Sequence, residues 1–586
     1  MRPALASLAL TLATALTLST ASPTLAAPPD WVATSYFAAP DGAVPGAAFA
    51  GRLMFQTTQM TVEADPADKM IQYPWAWWGI FDFLQAQDPK GAVPLFELDA
   101  TLFPGLPLDL VVSPDGAVIP GQRGLIRLPV KDRTASFWEM IAGPGRAWQV
   151  TEGANAGWSR AAFPISLVQS QEGEAWIGLA SFDYKDGQTT PMKVQFSSDS
   201  AGGFIFWDPD FDVRAWGEVP FDVQTATVDA AAVTAAHAEE KAAALPVQPL
   251  SALSPDLAAA AATLDPKATL AVAVLDKGTL YMDAVQTPFG THPYPTDMRV
   301  GVWSASKSLV PGLAALAIAQ KYGLDFLDLP IVSFVKEGDE FTYPSAAAKE
   351  RMDRVTIRNA LNMQTGMGPD GYDANWDLKS TNTYQWSYSY ALADQIRFYF
   401  NQEPNPNVGG PGEKMVYMDQ DMWIAALAME RFLKQKEGPE ATLLGFLQRE
   451  VYDPIGARHF ASGTGYTESG ASGLPFAGWG ALPTVEILAR AGALVANGGK
   501  APDGTQVLHP DLVAGLSASA DYGLTFWRTA SGGKNVPSME GAGGNSVMAL
   551  PNGMSLVILS RDNYNYSIPE EATKSLLDAA AKLRPF

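Results

Sequence analysis

The sequence predicts a multidomain protein with a mainly-β, sandwich-like N-terminal domain. Its C-terminal domain reads as α/β (α+β), an antiparallel sheet flanked by helices. Three observations carry this reading. From about residue 30 to 222, short apolar runs are broken at regular intervals by turn residues, the rhythm of antiparallel strands. Near residue 223 the composition becomes rich in alanine and proline. From Ala268 onward, strand pairs stand at both ends of a helical middle, which suggests helices packed on an antiparallel sheet. A chain of 586 residues is expected to hold two or three domains. The segments divide as 1–27, 28–223, 224–263 and 264–586.

Residues 1–27 carry Arg2, an apolar stretch over 4–18, and small residues ending in "TLAAPP". That is the three-part layout of a secretory signal peptide, with cleavage after Ala26 or Ala27. The apolar part is too short to span a bilayer, and no cysteine lies near the cut to take a lipid. No later stretch is long and apolar enough for a membrane span, so an exported protein, periplasmic or secreted, is expected. In the first domain, "LDLVVSPDGAVIP" is two strands around Pro114-Asp115-Gly116, and "EAWIGLASFDYKDGQTTPMKVQF" repeats the pattern around Lys185-Asp186-Gly187. Residues 224–263 read as a linker with helical pieces, interrupted at Pro246, Pro249 and Pro255.

The C-terminal domain opens with "TLAVAVLDKGTLYMDAV", a hairpin turning at Asp276-Lys277-Gly278. A helix is expected over 304–322, stopped by Gly323. Pro311 removes the bond to the Lys307 carbonyl, so a kink or a tight first segment is expected there. "SVMALPNGMSLVIL" is a second hairpin, turning at Pro551-Asn552-Gly553, and a last helix spans about 569–583. No internal repeat is present.

Composition narrows the chemistry. With no cysteine, disulfides, a catalytic thiol and thiolate metal sites are excluded. A chain this long can bury enough core without disulfides. The net charge of −22, from 40 basic and 62 acidic residues, is spread along the chain and argues against nucleic acid or anionic membrane as partners. The four histidines, His237, His292, His459 and His509, show no metal-ligand spacing, and no Gly-x-Ser-x-Gly elbow accompanies them. A Ser-His-Asp hydrolase and a metalloenzyme are therefore disfavoured, and no metal or other cofactor is expected.

In "WSASKSL", over 303–309, Ser304 stands three residues before Lys307. Serine is a poor nucleophile until a base takes its proton, and residues three apart on a helix share a face. The helix N-terminus adds a field that favours developing negative charge. The competing reading is a helix cap and a surface charge.

The longer stretch "RVGVWSASKSLVPGLAALAIAQKYGLDFLDLPI" resembles the nucleophile helix of the serine β-lactamase-like and penicillin-binding hydrolases. The likeness is greatest to the branch with class C β-lactamases, family VIII-type esterases and aminohexanoate-dimer hydrolases. "VTIRNALNMQTGM", "PGEKMVYMDQDMWIAALAMER", "GWGALPTVEILARAGALVANGGKAPDGTQVL", "DYGLTFW" and "GAGGNSVMALPNGMSLVIL" match in order, over about residues 265–586. The resemblance implies a β-lactamase-like fold and makes Tyr417 the third catalytic residue. A lysine ammonium beside it would favour its phenolate, which could take the serine proton and return it to the leaving group.

Two departures from the family pattern stand out. Asp419 occupies the place of the usual asparagine; it is expected to pair with Lys307 and keep it charged, or else to face away. The third motif reads Gly541-Ala542-Gly543-Gly544 with no cation, where a cation would hold a substrate carboxylate. This favours an ester or amide substrate without that anion. A strand N–H around Gly543, near Gly541, and that of Ser304 are expected to form the oxyanion hole.

Trp376, Tyr384, Trp386 and Tyr388 are candidates for an aromatic substrate wall, with core packing as the competing role. Trp75, Trp77 and Trp78 could fill a core, bind a sugar polymer or cap the cleft. The expected function is an exported serine hydrolase forming an acyl-enzyme with a small-molecule or peptide-like acyl substrate. The alternatives are an inactive binding protein of the same fold, and a β-lactamase or D-alanyl peptidase acting on cell-wall-like substrates. Nothing in the sequence specifies an oligomeric state.

Overall fold

The computed structural model describes residues 31–63, 98–129, 134–171, 173–198, 214–224, 228–368, 391–466, 472–518, 522–531, 534–560 and 570–586, with 132, 386 and 389 between them. The leader segment 1–27, the tryptophans at 75, 77 and 78, and Trp376, Tyr384 and Tyr388 lie outside these residues.

The N-terminal domain is built from β1 (Phe49–Phe55), β2 (Thr61–Glu63), β3 (Pro107–Val112), β4 (Ala117–Pro120), β5 (Glu139–Ala142) and β6 (Gly145–Gln149). It continues with β7 (Ser159–Gln169), β8 (Glu174–Lys185), β9 (Met192–Ser198), β10 (Arg214–Val219) and β11 (Phe221–Gln224). These strands form one sheet in the order β11-β1-β3-β4-β6-β7-β8-β9-β10-β2, with β5 also paired to β7. The expected turn at Asp186-Gly187 has φ of 50° and 80°, as a tight hairpin requires.

The domain is mainly β, as expected. Its sandwich-like packing comes from one sheet that curls over itself rather than from two separate sheets. Phe49 of β1 and Phe221 of β11 meet Phe182 of β8 at 5.6 and 5.4 Å between ring centroids. These strands are far apart in the sheet order, so the sheet must roll to bring them together.

The hairpin β7–β8 is buried along nearly its whole length. Strand side chains alternate between faces, and here each face has a different partner. Phe163, Ile165, Leu167, Trp176, Ala180 and Phe182 enter the N-terminal core. On the other face, Ile177 joins the core of the C-terminal domain, and Val168 and Ala175 pack with Ala461 and Leu482.

The alanine- and proline-rich segment is divided between the two domains. Helix α1 (Ala230–Ala243) follows Val228, and Ala230 and Val233 pack on Val111, Ala117 and Ile119 of the first sheet. Strand β12 (Val247–Gln248) instead joins the second sheet, parallel to β14 (Thr279–Met282). That sheet also contains β13 (Thr269–Asp276), β15 (Tyr522–Gly523), β16 (Phe526–Ser531), β17 (Lys534–Gly541), β18 (Asn545–Ala549) and β19 (Ser555–Ser560). The order is β12-β14-β13-β19-β18-β17-β16-β15.

Helices cover both faces of this second sheet. On one face, Ala271, Ala273, Val557 and Leu559 meet α3 (Leu313–Tyr322), α4 (Asp419–Glu437) and α5 (Val485–Ala496) in the main core. On the other, Val272, Val274, Leu556 and Ile558 meet Leu257 of α2 (Pro255–Ala261) and Leu576 and Leu577 of α6 (Glu570–Leu583).

The helix expected over 304–322 is interrupted. Ala305–Lys307 form one α-turn, Ser308–Gly312 form a π-turn containing Pro311, and α3 follows. The feature anticipated as a kink or a tight segment is therefore a wide turn. Pro311 has no N–H for the usual bond, and the Leu313 N–H reaches the Ser308 carbonyl five residues back. Gly323, at φ 98°, ends the helix as expected.

Candidate active site

Trp303 enters the nucleophile turn at φ 46°, a conformation costly for a bulky side chain. After it, Ser304 is half-buried while Ala305, Ser306 and Lys307 are buried. The hydroxyls of Ser306 and Ser308 serve the surrounding structure. Ser306 Oγ accepts from the Ala481 N–H at 2.9 Å, and Ser308 Oγ donates to the Thr525 carbonyl at 2.6 Å.

Lys307 is 1% exposed. Its Nζ donates to Ser304 Oγ at 2.8 Å, Tyr417 Oη at 2.7 Å and the Gly478 carbonyl at 3.1 Å. It also pairs with the Asp419 carboxylate. The Tyr417 hydroxyl donates to Ser304 Oγ at 2.6 Å, which closes a triangle of serine, lysine and tyrosine. Tyr417 comes from the segment just before α4, and its ring stacks on Trp527, 6.4 Å away. Asp419 is the first residue of α4, where a carboxylate is favoured by the helix N-terminus.

Burial pulls the Lys307 ammonium toward neutrality, but the adjoining Asp419 and Tyr417 overcome it, and its pKa lies above the ordinary lysine value. Burial also raises the Tyr417 phenol above its usual value, against the opposing pull of Lys307. The expectation of a favoured phenolate is thereby corrected. The lysine keeps its charge and the tyrosine keeps its proton, because desolvation and the Asp419 charge outweigh the ammonium's effect on the phenol.

Gly541 ends β17 against the nucleophile turn. A Cβ there would stand 2.0 Å from the Val302 carbonyl oxygen and 3.1 Å from the Ala305 nitrogen, so only glycine permits this approach. Gly543 was expected on the strand. It lies instead in a short turn, Ala542–Gly544, between β17 and β18, at φ 78°. Trp386 was a candidate for the substrate wall. It is 1% exposed and packs edge-on against Trp423 and Trp479, at 5.6 and 5.5 Å. Its ring belongs to the core beneath the 476–480 turn. Among the described residues, no group of three His, Cys, Asp or Glu side chains is placed to hold a metal ion.

Sequence reasoning missed Gly478. Its stretch, "GWGALP", was part of a matching segment, but a backbone carbonyl leaves no side-chain signature. It missed Asp421 as well, in the first turn of α4. Burial pushes this carboxyl up to about 8, and Thr365 and Tyr399 both donate to it at 3.1 Å.

Residues 260–581 match the family model described as Beta-lactamase. No curated protein matches the chain. Similar solved structures include a Bacillus anthracis protein proposed to be a 6-aminohexanoate-dimer hydrolase, at 16% identity over 55% of this chain and 81% of that one, with a TM-score of 0.42. A penicillin-binding protein homologue from Caulobacter crescentus is 15% identical over 58% of this chain and 99% of its own, with a TM-score of 0.39. A family VIII carboxylesterase is 14% identical over 58% and 99%, with a TM-score of 0.41.

Two predictions follow from these charges. Asp419→Asn removes the carboxylate that raises the Lys307 pKa, so the ammonium is lost at lower pH. The basic limb of Ser304 reactivity toward a fluorophosphonate should then move to lower pH, and an unmoved limb refutes the coupling. Asp421 holds its proton more tightly folded than unfolded, so wild-type stability falls as pH rises from 3.8 to about 8. Asp421→Asn removes that slope. Its Tm advantage over wild type should be greatest above about pH 8 and shrink toward pH 3.8 in melting curves.

Proposed function

This chain belongs to the Beta-lactamase family through residues 260–581, and on that premise we propose that it is a serine hydrolase cleaving an ester or amide bond through an acyl-enzyme on Ser304. The observation that carries the reading is the triangle of Ser304, Lys307 and Tyr417, with edges of 2.8, 2.7 and 2.6 Å. A cap and a surface charge would need neither a buried ammonium nor a phenol at hydrogen-bond distance from both.

Because Tyr417 is a neutral phenol beside a charged lysine, it works as a relay. Ser304 Oγ bonds to the carbonyl carbon as its proton passes to the Tyr417 oxygen and, in the same shift, the phenol's own proton passes to the leaving oxygen or nitrogen, so the phenol never holds two protons. The bond from the carbonyl carbon to that protonated oxygen or nitrogen then breaks. Lys307 stays charged and stabilises negative charge that builds on the phenol and serine oxygens. Water then attacks the acyl-enzyme and the same relay runs in reverse, returning the proton to Ser304. The Ser304 N–H and an N–H from the turn after Gly541 receive the carbonyl oxygen.

The strand before that turn helps to define the substrate. The residues preceding Gly541 are Met539, which is buried, and Glu540, whose carboxylate accepts from Ser538 and Thr529. Glu540 lies on the face of the strand opposite Gly541, and the stretch Gly541–Gly544 carries no cation to hold an anionic substrate group, which supports neutral esters and amides over β-lactam or D-alanyl substrates. Export is part of the proposal and rests on the leader-like order of residues 1–27.

Labelling with a fluorophosphonate and turnover of an ester, amide and β-lactam panel test the reading. Ser304→Ala should abolish both, and Tyr417→Phe should lower kcat by about two to four orders of magnitude. Near-normal turnover in Tyr417→Phe removes the phenol from the mechanism. A wild type that is neither labelled nor active on any panel member would be a binding protein of this fold.

A further inference from the structure

The turn that carries Ser170 and Gly173 joins β7 to β8 and belongs to the N-terminal domain. It lies between two tryptophans that flank the Ser304 triangle. Trp303 immediately precedes Ser304. Trp479 immediately follows Gly478, whose carbonyl accepts from Lys307 at 3.1 Å.

Both tryptophans are held by this turn. The Trp479 indole N–H donates to the Ser170 carbonyl at 2.9 Å. Gly173 has φ 77°, and a Cβ there would stand 2.8 Å from Trp479 Cδ1 and 3.2 Å from Trp303 Cζ3. The turn is itself anchored through buried polar groups. Ser170 Oγ donates to the Glu139 carboxylate, Glu139 faces Arg127 at 3.4 Å, and Arg127 donates to the Thr464 carbonyl and hydroxyl at 2.6 and 2.7 Å. Next to Thr464, the Gly463 N–H binds the Gly480 carbonyl at 2.7 Å, which holds the 476–480 turn in place.

We propose that this N-terminal turn is a positioning element of the Ser304 centre: Ser170 and Gly173 act through Trp479 and Trp303 to set where the Gly478 carbonyl meets Lys307 and where Ser304 leaves the strained Trp303. The inference rests on the serine-hydrolase reading above. It gives the N-terminal domain a part in the chemistry, because the site is incomplete without a turn that the domain supplies.

The test follows labelling by a fluorophosphonate, in which Ser304 Oγ displaces fluoride, on the full chain of wild type and three variants. Gly173→Ala adds a methyl where both indoles already sit. Trp479→Phe keeps a ring but removes the donor to Ser170. Gly187→Ala is the control: Gly187 is in the same domain at φ 80°, and a Cβ there meets nothing within 4 Å. Gly173→Ala should lower the maximal labelling rate about 10- to 100-fold, the penalty of small misplacements in a reacting centre. The probe concentration giving half that rate should change little. Trp479→Phe should lower the maximal rate about 2- to 10-fold, as loss of one hydrogen bond implies, and Gly187→Ala should leave it at the wild-type value.

A wild-type maximal rate in either folded variant, a loss confined to half-saturation, or an equal loss in Gly187→Ala overturns the inference. If Gly173→Ala shows no melting transition, Trp479→Phe decides. A wild type that carries no label on Ser304 overturns the hydrolase reading, and this inference with it.

Discussion

The candidate active site of the C-terminal domain is organised by one buried ammonium. Removing a cation from water costs on the order of several kcal/mol unless oxygens replace its hydration shell. Lys307 therefore requires acceptors, and they come from four places in the chain: Ser304 in its own turn, Tyr417 before α4, Asp419 at the start of α4 and the Gly478 carbonyl. Each acceptor constrains the segment that bears it. The closeness of serine to tyrosine is then a consequence of both answering the same charge. Among these partners, Asp419 makes the largest contribution that holds the Lys307 pKa above the ordinary lysine value, against the pull of burial.

The N-terminal domain is joined to this arrangement by more than a tether. Its β7–β8 hairpin shares the C-terminal core through Ile177, and Ser166 Oγ donates to the Arg299 carbonyl at 2.8 Å. The segment between the domains is also divided, with α1 lying on one sheet and β12 extending the other. Such an interface leaves little freedom for one domain to move without disturbing the other's core.

Much of this was legible in the sequence because it rests on local rules. The hairpins at Asp186-Gly187 and Lys277-Gly278 follow from turn chemistry, and both take paired positive φ values. The end of the long helix follows from Gly323. The order of motifs brought Ser304, Lys307, Tyr417 and Asp419 together as candidates, and their convergence around one ammonium is a tertiary fact. What escaped had no local signal. The curling of the first sheet depends on contacts between strands distant in order, such as Phe49 with Phe182. The protonation of Tyr417 depends on burial, which motif spacing does not report. Gly478 contributes a carbonyl that every residue possesses, and Trp386 looked like a wall because an aromatic in a pocket segment and an aromatic in a core are written alike. Pro311 announced an irregular helix, but whether the turn tightens or widens is decided by which carbonyl the next free N–H can reach.

The alternation of β7 and β8 between two cores has an evolutionary consequence. A strand with one wet face can absorb a slip at modest cost, because the misplaced side chains meet water. Here the gain or loss of a single residue would exchange the two sets, sending Trp176 toward the neighbouring domain and Ile177 into the space an indole had filled. Both interiors would fail together. Length changes in this ribbon can therefore be tolerated only in pairs of residues or at its tip, and the tip is the part that reaches Trp303 and Trp479.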